Sequence, residues 1–186
     1  MTDNELVAKI KKGDMHAFSA LVKAYESKVI NISYSLLSSR EDALDAAQEI
    51  FVKIYRNIDS FRGDSTVSTW IYRITKNVCC DYLRKRKSNV ISLDEEDEDK
   101  KIEIPDETSS PGEVLEKKET VNLVRNAISK LDENQRIVIT LFDIEGLSYE
   151  EISDIIKCPL GTVKSRLYRA RESLRKILAD HRELFT

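Results

Sequence analysis

SYEEISDIIKCPLGTVKSRLYRARESL, residues 148 to 174, changes sign across a turn. Ser148 is followed three residues later by Glu151, the pattern of a capping box. Glu150 and Glu151 fall in the first turn of the helix that follows, where negative charge favours the helix dipole. Ile152, Ile155 and Ile156 give that helix an apolar face. Lys157 to Gly161 interrupts it, with Pro159 and Gly161 as turn residues. In the next helix Val163, Leu167, Ala170 and Leu174 are spaced four, three and four apart, a buried seam. Two short helices joined this way form a helix-turn-helix. The opposite face carries Lys164, Ser165, Tyr168 and Arg169, flanked by Arg166, Arg171, Arg175 and Lys176. Seven basic residues between Lys157 and Lys176 face one acid, Glu172. A helix so charged repels itself unless phosphates surround it, and each phosphate contact releases counterions. The sign change therefore predicts a supporting first helix and a second helix that enters the major groove. There each good arginine or lysine pair with a guanine edge is worth roughly 1–3 kcal/mol of discrimination. A solvated amphipathic helix explains the charge alone, but not the seam and the Pro-x-Gly turn together with it.

The remainder of the chain is also helical in pattern. Its 186 residues include only five glycines and three prolines, which favours long helices with few turns. Apolar residues make up 41% and charged residues 34%, with a formal net charge of -3. Cys79, Cys80 and Cys158 form no C-x-x-C pair, and His16 and His181 stand alone. No metal site and no catalytic centre are expected, and the free thiols suit a reducing compartment. No apolar run approaches membrane-spanning length and no leader pattern opens the chain, so a cytoplasmic protein is expected.

Asp14 is placed to cap a helix with Ala17, Phe18, Leu21, Val22 and Tyr25 on one face. Ser39 and Asp42 precede a helix expected to bury Leu44, Ala47, Phe51, Ile54, Tyr55 and Ile58. Another helix is expected from Ser68 or Thr69 through Trp70, Ile74, Val78 and Leu83. The apolar run Ile137 to Phe142 follows cap signals at Asp132 and Gln135 and reads as a buried helix. Between Asp94 and Glu107 nine acidic residues meet two lysines, with Pro105, Pro111 and Gly112 nearby. No apolar face offsets the entropy of ordering this stretch. The expected architecture is all-α: a helical domain over 1–88, a flexible acidic linker over 89–112, and a second helical domain over 113–186.

The first domain carries a different nucleic-acid signal. In FRGDSTVSTWIYRITKNVCCDYLRKRK, residues 61 to 87, Phe61, Trp70, Tyr72 and Tyr82 alternate with Arg62, Arg73, Lys76 and Arg84 to Lys87. Aromatic faces and cations together suit single strands, where stacking is worth roughly 1–3 kcal/mol per base. Gly63, Asp64 and Ser65 form a loop in which a flipped base can lodge. Core packing of Trp70 and Tyr82 is the simpler account of those rings taken singly. On the helix from Glu41 to Ile58, a second face with Asp45, Gln48, Glu49, Val52 and Arg56 is either a polar surface or a docking face for a basic partner helix.

DALDAAQEIFVKIYRNIDSFRGDSTVSTWIYRITKN and GLSYEEISDIIKCPLGTVKSRLYRARESLRK together resemble the extracytoplasmic-function (ECF) group of the sigma-70 family, initiation subunits of bacterial RNA polymerase. The resemblance covers nearly the whole length, as sigma region 2 followed by sigma region 4. It implies that Asp45, Gln48 and Glu49 contact the polymerase clamp, and Phe51 completes the same DxxQExF pattern. It implies that the loop from Phe61 to Thr69 captures a base of the minus-10 element and that Asn77 touches that element. Lys164, Ser165, Tyr168 and Arg169 match the helix that reads the minus-35 element. Ser153 stands where small apolar residues are usual, and its hydroxyl is expected to bond back to its own helix. Further implications are clamp and flap contacts to core polymerase, duplex and single-stranded promoter DNA as ligands, an anti-sigma factor, a monomer when free, and no cofactor. The acidic linker is expected to mimic RNA in a basic channel of the polymerase. A helix-turn-helix regulator acting without polymerase is the alternative, and an enzyme using one of the cysteines a remote second.

Overall fold

The computed structural model describes residues 1–90 and 111–179. Among them are eight α-helices and no strand. In chain order these are α1 (Asp3–Ile10), α2 (Met15–Leu37), α3 (Arg40–Asn57), α4 (Val67–Val90), α5 (Pro111–Ser129), α6 (Glu133–Ile139), α7 (Tyr149–Ile156) and α8 (Leu160–Ile177). A 3-10 turn, Ile58–Ser60, follows α3, and a π-helical segment, Thr140–Ile144, continues α6. Helix α4 reaches Val90 and α5 begins at Pro111, so both ends of the expected linker are helical. The acidic stretch Asp94 to Glu107 lies outside the described residues.

Side chains written into the sequence start the helices. Asp14 accepts from the His16 and Ala17 N–H groups at 2.9 and 3.1 Å. The Asp42 N–H donates to Ser39 Oγ at 3.2 Å, and Asp132 receives the Gln135 N–H at 2.9 Å. At Ser148 and Glu151 both halves of the capping box form. Each such cap satisfies backbone donors left open by helix geometry and is worth about 1 kcal/mol. Helix α4 begins at Val67, a little earlier than expected, because Thr66 Oγ1 accepts the Thr69 N–H at 3.1 Å.

In the first domain α2 lies at the centre, against α1, α3 and α4. Leu21, Val29 and Ile32 of α2 are fully enclosed, as are Ile50 and Ile54 of α3 and Ile71 of α4. Each contributes roughly 1.5–3 kcal/mol through burial. The face of α3 differs from expectation. It buries Ala43, Ala46, Ala47, Ile50, Ile54 and Ile58, whereas Leu44, Val52 and Tyr55 are 40%, 48% and 40% exposed. The helix carries two apolar stripes, and periodicity does not rank them. The small alanines let α3 approach α2 closely, so the bulkier stripe faces out with Phe51 at its edge.

In the second domain α6 and α7 both pack on α8. Val163, Leu167 and Ala170 are buried as the seam requires, against Ile152, Ile155, Val138 and Leu141. The two domains also touch. Helix α4 packs on α7, and α2 packs on α5, α6 and the π-helical segment. Arg136 ties them: its guanidinium donates to the Leu36 carbonyl of α2 at 2.7 Å, to the Leu131 carbonyl at 3.0 Å and to the Ser129 carbonyl. Burial lowers the Arg136 pKa from its ordinary value, opposed by Glu133 and Asp132. The charge nonetheless stays, because an arginine does not lose its proton in a protein.

Candidate nucleic-acid interface

The helix-turn-helix is built by its turn. Lys157 caps α7 in the left-handed region at φ 55°, and Gly161 lies inside the first turn of α8 with open space around it. The expected turn glycine is thus a helix residue, and a lysine takes the strained position. Ser153 helps hold it: its hydroxyl reaches forward to the Cys158 carbonyl at 2.6 Å, where a bond back into its own helix was expected. Tyr168 is 69% exposed, the most open aromatic ring among the described residues of the domain. Lys164, Ser165 and Arg169 are exposed beside it and Arg166 is half-buried. Arg171 is exposed as well, and it is also paired within the domain. It donates to both oxygens of Asp143, through Nε at 3.3 Å and through Nη2, and lies over Phe142. The Asp143 carboxylate raises the Arg171 pKa further.

In the first domain the expected residues separate into two layers. Phe61 is 8% exposed, and its ring packs on Trp70 with centroids 5.5 Å apart. In this arrangement the Phe61 ring is buried and supports Trp70. Lys11, the residue capping the end of α1, anchors the same place by donating to the Phe61 carbonyl at 2.6 Å. Arg62, Gly63 and Asp64 are exposed and Ser65 half-buried, with Gly63 at φ 84° making the turn. Helix α3, the 3-10 turn after it and α4 line an open cavity of about 320 Å³ formed by Lys53, Asn57, Ser60, Trp70, Ile74, Asn77 and Val78. Trp70 and Asn77 thus converge, joined by three polar residues that sequence reading missed. The signal for two of them is their spacing: Lys53 and Asn57 sit one turn apart on α3. Arg73 is half-buried with an enclosed Nε that has no partner. Arg84 is exposed and paired with Asp81 at 3.0 Å.

The outer face of α3 joins Asp45 and Gln48, both exposed, to Leu44, Val52 and Tyr55. Glu49 pairs with Lys53 at 2.7 Å, and that hydrogen bond lowers its pKa. The cysteines are free, and burial pushes the Cys79 thiol up to about 11 and the Cys80 thiol up to about 12. Neither is a ready nucleophile, since the thiolate is the reactive form. Among the described residues no group of His, Cys, Asp or Glu is placed to hold a metal ion, and no helix is long and apolar enough to cross a membrane.

A cationic helix thus stands on one domain and a cavity lined by an aromatic ring and two amides on the other. Residues 21–89 match the family model described as Sigma-70 region 2, and residues 122–174 the model described as Sigma-70, region 4. The chain is 40% identical over 179 residues to the ECF RNA polymerase sigma-E factor of Haemophilus influenzae, covering 94% of each. To that of Escherichia coli K12 it is 41% identical over 179 residues, 94% of this chain and 93% of the relative. Among solved structures, the sigma factor RpoE in complex with the anti-sigma factor NepR from Bartonella quintana superimposes with a TM-score of 0.72 at 28% identity. That match covers 87% of this chain and 96% of the other. CnrH in complex with the cytosolic domain of CnrY shares the fold at a TM-score of 0.71 and 24% identity, covering 96% and 97%. The chain belongs to the ECF group of the sigma-70 family. It is accordingly an initiation factor that works with RNA polymerase and promoter DNA and is not an enzyme; a regulator independent of polymerase is not favoured.

Proposed function

We propose a division of labour between the two surfaces. The exposed face of α8, with Lys164, Ser165, Tyr168 and Arg169 and with Arg166 at its flank, enters the major groove of the minus-35 duplex. The α3–α4 cavity receives an unstacked base of the minus-10 non-template strand. Trp70 supplies a stacking surface there, and Asn77, Asn57 and Lys53 supply donors and an acceptor for a base edge. The loop carrying Arg62, Gly63, Asp64 and Ser65 lies next to it in sequence, and Arg73 and Arg84 hold the strand's phosphates. The observation that carries this reading is the meeting of Trp70 and Asn77 in one cavity, seven residues apart on α4 and roofed by α3. Captured bases then stabilise the open bubble with no nucleotide hydrolysis.

The outer face of α3 docks on core polymerase. Its apolar stripe, Leu44, Val52 and Tyr55, rimmed by Asp45, Gln48 and Glu49, offers both an area to bury and charges to orient a basic partner. The protein acts in the cytoplasm as a monomer when free. An anti-sigma factor restrains it, as the RpoE and CnrH complexes suggest by analogy.

The contact between domains has to open in this process. The two elements lie roughly 25 nucleotides apart by their names, about 85 Å of duplex at 3.4 Å per base pair. With α4 packed on α7, the two domains are in direct contact. Residues 91–110 span up to roughly 70 Å when extended, enough, with the domains themselves, to bridge the interval.

Run-off transcription with purified core polymerase on a random promoter library tests the proposal. The selected promoters should share two elements, and their enrichment should require this chain. No enrichment, or one element only, contradicts it.

A further inference from the structure

The division of labour leaves unused a set of contacts around the helix-turn-helix. The Phe142 and Tyr149 rings stack, with centroids 4.8 Å apart and planes 25° from parallel. The Lys164 ammonium lies 5.5 Å from the Tyr149 centroid. The Arg171 guanidinium lies 5.2 Å from the Phe142 centroid and pairs with Asp143. Lys164, Tyr149, Phe142, Arg171 and Asp143 therefore form one continuous ladder. Lys164 and Arg171 are seven residues apart, two helical turns, so both point from the same side of α8. The π-helical segment makes the ladder possible. The Glu145 N–H donates to the Thr140 carbonyl five residues back at 3.0 Å, and this wider turn carries Phe142 and Asp143.

The two ends of the ladder differ. At the Arg171 end a carboxylate closes it. At the Lys164 end it is open: Lys164 is exposed, the ring covers one side of the ammonium, and an ammonium has three donors. From this we infer that Tyr149, seated on Phe142, is a positioning residue for promoter reading. It holds the Lys164 ammonium at the rim of the DNA-facing surface before DNA arrives. A free lysine loses much rotamer freedom when it binds, and a side chain held in advance has already lost it. Attraction to the half-buried Tyr149 ring is weaker than a charge-assisted bond to phosphate or guanine, so the exposed ammonium transfers readily. The inference rests on α8 being the minus-35 reader.

The test uses full-length chain reconstituted with core polymerase and a fluorescent duplex carrying the minus-35 element selected by the wild-type holoenzyme. Dissociation constants are compared for wild type, Tyr149→Phe, Tyr149→Leu, Lys164→Ala, the Tyr149→Leu/Lys164→Ala double variant and Arg169→Ala. Tyr149→Leu should weaken binding about three- to tenfold, Tyr149→Phe should stay near wild type, and the Tyr149→Leu loss should disappear when Lys164 is already absent. Tighter binding by Tyr149→Leu would mean that the ring sequesters Lys164, and would overturn the inference. The same loss with and without Lys164 would reduce Tyr149 to a packing residue and also overturn it. If wild type shows no preference for the element and Arg169→Ala changes nothing, the assignment of α8 itself fails, a result distinct from either.

Discussion

The two reading surfaces have opposite shapes. The second domain presents a convex helix, with Tyr168 standing 69% exposed among cations. The first presents a cavity of about 320 Å³ between α3 and α4, in which Trp70 is half-buried and Asn77 is open to solvent. The proposed ligands account for the difference. A base pair inside duplex DNA shows only its edges, so a protruding helix must come to it. An unpaired base exposes both faces and its pairing edge, so it can be taken into a concavity and stacked. The support differs in the same sense. The convex surface needs a rigid seam behind it, provided by Val163, Leu167 and Ala170. The cavity needs a propped floor, provided by Phe61 under Trp70 and by Lys11 on the Phe61 carbonyl.

Substitutions that affect one surface and spare the other sharpen this contrast. The largest effect is expected from Trp70→Ala, which removes a stacking platform worth about 1–3 kcal/mol and also the ring resting on Phe61. Promoter opening, followed by permanganate reactivity, should fall by about ten- to a hundredfold, while binding to the minus-35 duplex holds. Loss of both together would deny the separation. Arg169→Ala comes next, with a cost of about 1–3 kcal/mol concentrated at one base pair of the minus-35 element. A promoter-library readout showing equal losses on all sequences would make Arg169 a phosphate contact. Asn77→Ala should cost about 0.5–1.5 kcal/mol, one hydrogen bond, in opening alone. A drop in polymerase affinity in that variant would place Asn77 elsewhere.

The smallest expected effect concerns Glu145, half-buried just after the π-helical segment. Burial raises its pKa, partly countered by Lys28 of the other domain. An acid with a raised folded-state pKa binds its proton more tightly when folded. Its contribution to stability therefore increases as pH falls through the folded value and is complete below the unfolded one. Glu145→Gln should raise the melting temperature slightly at neutral pH and leave it unchanged in acid. A variant that melts lower at pH 7 would show that attraction to the Lys28 charge outweighs the burial.

The sequence was most informative where a local rule decides. Asp14, Ser39, Asp132 and Ser148 all cap helices, because a cap depends on neighbours two or three residues away. The helix-turn-helix seam was legible for the same reason. Less was legible where packing chooses among local possibilities. Two apolar stripes run along α3, and only the fit against α2 tells which is buried. The cavity was half visible, since Trp70 and Asn77 lie on one helix. Lys53, Asn57 and Ser60 come from the preceding segment and join them only once the helices pack. The charge of Arg171 is plain in the sequence, but its pairing is not. Its partner Asp143, 28 residues away, is brought to it by a π-helical turn that no periodicity announces.

The central claim is that one surface takes paired DNA and the other unpaired DNA. The most direct measurement is binding of the reconstituted holoenzyme to two separate probes, a minus-35 duplex and a single-stranded minus-10 non-template oligonucleotide. Trp70→Ala should abolish the preference for the single strand and keep the duplex, and Arg169→Ala should do the reverse. Equal loss on both probes in each variant, or a wild-type preference for duplex at both elements, would contradict the account.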